Sequence, residues 1–406
     1  MSYFHLNLIL QGKLTVCCLL MLSVMPLNAQ REAKQIGDFK ESISLNEHLR
    51  GTKRTLQYCP DGDEFVCVNG KNRYTRALYG SHSPFRVETS DRPVFAFYNN
   101  GRGGNISFKV ILRDGTELAL DCTGHCESRY SAGKRTYYLT DPSWGKGELR
   151  ISVLALADMD GAIWRFSPSN MPKGAILRWQ HGGATGKRLS RNGDMGVDPA
   201  DCFELPAEAT DLVTGELSLQ KEVYLVRGEV SEGYNVRKLY QQAEAASLVL
   251  ASHLKIETPD PYLNTLGGAL VAAADGIWDG QVWLHGAIGW RMPLSGWRAG
   301  YTGDALGWHD RARTHFDAYA ASQVTDVPNT IPHPAQDSTM NLARSEKRWG
   351  TPQYSNGYIC RNPERNNQMH HYDMNLCYMD ELLWHFNWTV DTAYVRKMGP
   401  MITRHL

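Results

Sequence analysis

Two stretches of this 406-residue chain gather side chains whose types and spacing could do chemistry. The first runs from Gly296 to Tyr319 and reads GWRAGYTGDALGWHDRARTHFDAY. A turn calls for Gly, Pro, Asn or Asp, but not for Trp297, Arg298, Tyr301, Trp308 and His309 in addition. An indole face stacks against the apolar face of a sugar ring, while Arg and Asp bracket its hydroxyls with paired hydrogen bonds. That composition makes Trp297, Arg298, Asp304 and Trp308 candidate substrate-binding residues. Asp304 reads equally well as the N-cap of a helix whose inner stripe is Trp308, Ala312, Phe316 and Tyr319.

The second stretch, from His370 to Trp388, reads HHYDMNLCYMDELLWHFNW. Asp373 stands at a helix start beside Asn375, the setting of a general base or of a group that positions water. Glu381 lies eight residues on and close to the same helix face, whereas Asp380 points elsewhere. The catalytic candidates are therefore Asp373, Glu381 and Asn375, with His371 as a substrate contact beside them. The plain alternative makes Asp373 a cap and leaves Asp380 and Glu381 on a solvated face. Neither His370–His371 nor the CTGHC segment around His125 brings a full set of metal ligands, so no metal is expected, and no motif calls for a cofactor. A third dense stretch carries Asn72, Arg73, Arg76, Tyr79, His82, Arg86 and Asp91; Arg–carboxylate pairing that ties strands to helices accounts for it.

These groups need elements to hold them. From residue 56 to about 235 the chain shows short alternating runs, such as VFAFYNN, ISFKVILRDG, RTYYLTD, LRISVLAL, AIWRFSP and VYLVRGE, broken by Gly, Pro, Asn and Asp. They predict an antiparallel β-sandwich with a hairpin turn at Arg113-Asp114-Gly115. From residue 236 to 406 the period becomes helical, with apolar stripes at Leu239, Ala243 and Ala246, at Leu263, Leu266, Leu270 and Ile277, and at Leu376, Met379, Leu383 and Phe386. Asp391 is the expected cap of a last helix that Pro400 bends or breaks. That pattern stops without a cap or polar tail, which reads as an array of helices cut short at its C-terminal end.

The first 29 residues run from Lys13 through an apolar stretch to a small residue at Ala29, the order of a secretory signal peptide. Residues 30–55 are a polar lead-in. The expectation is export to the periplasm or beyond, with no stable membrane insertion once the leader is removed. Lys plus Arg and Asp plus Glu both number 43, and no basic run is interleaved with aromatics, so nucleic acid is excluded as a partner. Seven Cys follow the leader. Cys59–Cys67 and Cys122–Cys126 are spaced to close short loops, and buried free thiols are the simpler account.

With GWR…TGD…LGW and HYDMN…DELLWHFNWTVD in the helical part, the chain resembles the six-hairpin (α/α)6-barrel glycosidases. NGKNRYTRALYG…FRVETSDRPVFAFY resembles an N-terminal region of secreted Bacteroidetes-type proteins known mainly as a domain of unknown function (4450-like). The resemblance implies a β-sandwich followed by an incomplete (α/α)6 toroid, and a glycoside hydrolase acting on a carbohydrate substrate by inversion. By the same resemblance Asp304 matches a sugar-contacting Asp, and Asp373 with Asn375 would orient the attacking water. No Glu stands just upstream of Asp304, where such members carry their acid, and Val390 departs from the Trp-Thr-Gly-Asp pattern. The rival readings are a non-catalytic glycan-binding or scaffold protein and, less favoured by the order of the parts, a polysaccharide lyase.

Overall fold

The computed structural model describes residues 58–71, 76–99, 102–182, 212–230, 233–286, 291–296, 299–325, 356–364 and 372–406. Residues 59–256 and 262–406 fall within one compact unit. Among the described residues the chain is mixed α and β, with two antiparallel sheets followed by helices.

The first sheet runs, edge to edge, Cys59–Asp61, Glu64–Val68, His125–Ser131, Lys134–Thr140, Glu148–Ala155, Gly161–Ser169 and Val223–Gly228. The second runs Val213–Ser218, Ile176–Gly182, Arg102–Ile111, Phe95–Asn99, Arg86–Thr89 and Arg76–Tyr79, with Glu117–Ala119 also pairing with Arg102–Ile111. Each apolar run quoted above from the strand region supplies most of its residues to one of these strands. The Arg113-Asp114-Gly115 turn forms as expected: Gly115 takes φ 86°, and Asp114 Oδ1 accepts the Thr116 amide at 2.9 Å. A left-handed φ is the reason Gly stands there.

The two sheets pack face to face over one core. Phe95, Phe97 and Phe108 of the second sheet meet Trp164 and Phe166 of the first, at ring separations of 5.1 to 6.1 Å. Alternation along each strand sends Cys126, Ser128 and Tyr130, or Tyr137 and Leu139, inward. Strand Glu148–Ala155 is buried on both faces, which is why its sequence reads as an unbroken apolar run. Leu149, Ile151 and Val153 join the core between the sheets, while Leu154 meets Leu239, Tyr240 and Ala243 on the outer side.

Those last three residues belong to α1 (Val236–Ala251), started by Asn235, whose side chain accepts the Lys238 amide at 3.0 Å. The Arg165 guanidinium lies 4.4 Å from the centre of the Tyr240 ring and covers it. The remaining helices are α2 (Pro261–Gly276), α3 (Gly300–Ala305), α4 (His309–Ala321), α5 (Tyr372–Thr389) and α6 (Thr392–His405). None of the described helices is long and apolar enough to cross a membrane.

Several helical expectations need correction. Asp304 is not a cap: it lies inside α3, and α4 starts at His309 with Trp308 in the N-cap position making no side-chain cap bond. The stripe of α4 otherwise holds, with Ala312, Phe316 and Tyr319 fully buried and Trp308 partly so. On α5 the expected Leu376 and Leu383 are exposed, and the buried face is Met374, Asn375, Tyr378, Glu381, Leu382 and His385. Ala246 on α1 and Leu263 and Leu270 on α2 also face out. Pro400 neither breaks nor ends α6. It and Arg396, whose carbonyl would lose the missing N–H, are both on the exposed side, where water can satisfy that oxygen. Asp391 caps α6 as expected, accepting the Ala393 and Tyr394 amides at 3.0 Å.

Candidate active site

The glycines of the Gly296 segment explain how it is placed. A side chain at Gly296 would strike the α5 backbone at Met374 and Tyr378, one at Gly303 would strike the Trp283 ring, and one at Gly300 would strike the Glu381 carboxylate. Bare backbone therefore lets α3 lie directly against α5. Two rungs join these helices. At the first, the Gly300 amide donates to Glu381 Oε2 at 3.1 Å. At the second, one turn along both helices, His385 Nδ1 donates to Asp304 at 2.8 and 2.9 Å from its two oxygens. The Asp304 carboxylate also takes the Nδ1 proton of His309, the first residue of α4, at 2.7 Å.

The result is a cluster of polar groups inside an otherwise aromatic core. Glu381 is 1% exposed, Asp304 3% and His385 0%. Phe316 lies 5.4 Å from the His385 ring and Tyr394 meets its edge at 5.4 Å. On the outer side of α5, Tyr301 donates its hydroxyl to Asp380, and burial followed by that carboxylate pushes the phenol pKa up. Deeper in, His315 is buried and its Nδ1 accepts the Trp283 amide at 3.2 Å. Burial alone drives its pKa down to about 3, so it is a neutral core group.

The candidates from the sequence separate clearly. Asp304 and Glu381 stand on the two adjacent rungs, each bonded to the opposite helix. Asn375 is buried on the same helix, but both its amide atoms are engaged: Oδ1 accepts the Ile359 amide at 2.7 Å and Nδ2 donates to the Ile359 carbonyl at 3.0 Å. Asp373 is exposed in the first turn of α5. Eight residues separate it from Glu381, about 12 Å of helix rise. Trp308 is partly buried beneath the Arg311 guanidinium, 4.4 Å from its ring, with His253 at 5.4 Å. Trp297, Arg298 and His371 lie outside the described residues.

His385 and His309 were missed as partners of Asp304. The usable signal was spacing: His385 follows Glu381 by four residues, and His309 follows Asp304 by five. A second cluster was only half read. His82, from the loop before strand Arg86–Thr89, meets Asp275 of α2 at 3.2 Å, and Arg311 of α4 meets the same carboxylate oxygen at 2.6 Å. Arg291 adds bonds to the carbonyls of His82 and Gly276 at 2.9 and 3.0 Å. Burial raises the Asp275 pKa, but the His82 and Arg311 hydrogen bonds outweigh it and hold the carboxyl below its ordinary value. Tyr79 packs directly on Gly276. Strands and helices are tied here by a charged knot, with His82 and Tyr79 drawn from the third stretch of the sequence.

Among the described residues no group of three or more His, Cys, Asp or Glu is arranged to hold a metal ion. Cys59, Cys67, Cys122, Cys126, Cys360 and Cys377 are free thiols; Cys202 lies outside the described residues.

Residues 100–235 match a family of unknown function. Its description is a domain of unknown function (DUF4450), and the match agrees with the resemblance of the strand region to that family. It covers about a third of the chain, from strand Arg102–Ile111 to the start of α1, and stops short of α3, α4 and α5. No curated protein matches the chain.

Proposed function

We propose that this chain is an exported glycoside hydrolase, or part of one, whose helices belong to an (α/α)6-type array. The observation that carries the reading is the burial of Asp304 and Glu381 on two helices joined at adjacent rungs. Asp304 also follows a segment rich in Trp and Arg. One helical turn, roughly 6 Å, separates their rungs. Glycoside hydrolysis uses two carboxyl groups flanking the bond, ~5–5.5 Å apart with retention and ~6.5–9.5 Å apart where a water attacks with inversion. In this reading Glu381 protonates the departing glycosidic oxygen, and the water is activated from the Asp304 side. Asp373, about 12 Å along α5 from Glu381, is too distant to share that water. In this reading Trp297, Arg298, Trp308 and His371 are the substrate-binding residues.

One observation favours a second reading. Glu381 and Asp304 are nearly sealed from solvent, as a structural clamp would be, and that suits a glycan-binding or scaffold protein without turnover. Incubating the protein with a panel of plant and host oligosaccharides separates the cases. Release of reducing sugar, lost by ~10²-fold or more in Glu381→Gln with retained fold, is the hydrolase outcome. Retention of a glycan without turnover is the binding outcome, and an ultraviolet-absorbing unsaturated product means elimination.

A further inference from the structure

We infer that His309 is the proton acceptor of this site, fixed in place by Asp304 and, behind it, His385. The assignment deepens the hydrolase reading and rests on it. An ionised carboxylate can only accept hydrogen bonds, so both imidazoles that contact Asp304 through Nδ1 must carry their proton on that nitrogen. The distances, 2.7 Å to His309 and 2.8 Å to His385, are those of charge-assisted bonds. Each ring is thereby held in one tautomer with a bare Nε2. For His385 that nitrogen is buried and has no partner among the described residues. The His309 side chain is 43% exposed, while the Asp304 side chain is 2% exposed.

Both Asp304 oxygens are taken by imidazole N–H donors, so Asp304 itself has no oxygen left for a water that attacks a bound sugar. The imidazole carries the accepting position one ring's width outward, to the solvent side. In the step, the water oxygen bonds to the anomeric carbon while His309 Nε2 takes its proton. The bond to the leaving oxygen breaks, and that oxygen takes the proton of Glu381. Asp304 and His385 are positioning residues; neither touches the reacting atoms.

The test reads the ring directly. Two-bond nitrogen–proton correlation spectra in mildly alkaline buffer report the tautomer of each of the 14 His, and the His309 signals are those lost in His309→Gln. The expected result is a proton on Nδ1 of His309 in the wild-type protein, with a shift toward the Nε2-protonated form in Asp304→Asn. A wild-type His309 protonated on Nε2 overturns the assignment, and this reading needs only the fold of His309→Gln, a change at a side chain 43% exposed. Against a hydrolysed glycan, His309→Gln is expected to lower kcat by ~10²-fold or more with little change in KM. Undiminished turnover overturns the base role and leaves hydrolysis by other groups standing. If the wild-type protein releases sugar from no glycan, the hydrolase reading fails and the base role fails with it, whatever the tautomer.

Discussion

Buried histidine contributes to the acid sensitivity of this molecule. His315 lies in the aromatic core between Trp283 and Phe316, and burial lowers its pKa from 6.5 to about 3. The unfolded chain therefore binds a proton at His315 that the native state refuses. The stabilising contribution is whole above pH 6.5 and is lost as the pH falls from there toward 3, at about 1.4 kcal/mol per pH unit. Urea titrations across that range should show the slope in the wild-type protein, and His315→Gln should flatten it by about one proton's worth. An unchanged slope in the variant would place the acid sensitivity elsewhere. At this scale the sequence was partly legible. Asp304 and His309 stood out in a stretch dense with Trp and Arg, and Glu381 by its helix face, whereas the bonds of His309 and His385 to Asp304 did not show, since their partner lies on another helix.

On the scale of elements, the helices show where pattern reading fails and why. Period alone assigns the large apolar residues inward, which would bury Leu376 and Leu383 on α5. The folded helix instead turns in Asn375, Tyr378, Glu381 and His385, because each has a partner waiting: the Ile359 backbone, the Phe316 carbonyl, the Gly300 amide and Asp304. A satisfied polar side chain can occupy the buried face, but satisfaction depends on residues distant in sequence. Strands escaped this problem, since their period-two pattern and turn residues are local signals. The Asn375 tie makes the point measurable. Asn375→Ala leaves the Ile359 N–H and C=O without their partner inside the protein, and is expected to cost about 2–3 kcal/mol in urea unfolding. Asn375→Asp keeps the acceptor for the Ile359 amide but sets a carboxylate against its carbonyl, so it should restore little. Full stability in either variant would show that the tie is dispensable.

For the whole molecule, the question is what makes strands and helices fold as one unit. The α1 contact is apolar: Leu239, Tyr240 and Ala243 cover Leu154, Leu156 and Ile163. Leu239→Ala should therefore cost about 2–4 kcal/mol, as truncation of a well-packed core leucine does. A contact of another kind is the knot of His82, Asp275 and Arg311, braced by Arg291. Removing Asp275 takes the carboxylate from two donors at once. Arg311 stays stacked over Trp308 with its side chain 28% exposed, so water recovers part of the loss. Asp275→Ala is accordingly expected to cost about 2–3 kcal/mol, less than the ~3–5 kcal/mol of a fully buried pair. Its Asp275 carboxyl is held below the ordinary range, so the contribution is present above about pH 4 and disappears as the pH falls through the lowered native value. The two contacts differ in kind, and calorimetry can tell them apart. If the knot couples the halves, the single transition of the wild-type protein should split into two in Asp275→Ala while each half keeps its own core. In a double-mutant cycle, His82→Ala and Asp275→Ala should show a coupling energy of at least ~0.5 kcal/mol. A single sharp transition in Asp275→Ala, with additive energies, would leave the α1 contact and the packing of Thr265 and Ala269 of α2 to join them.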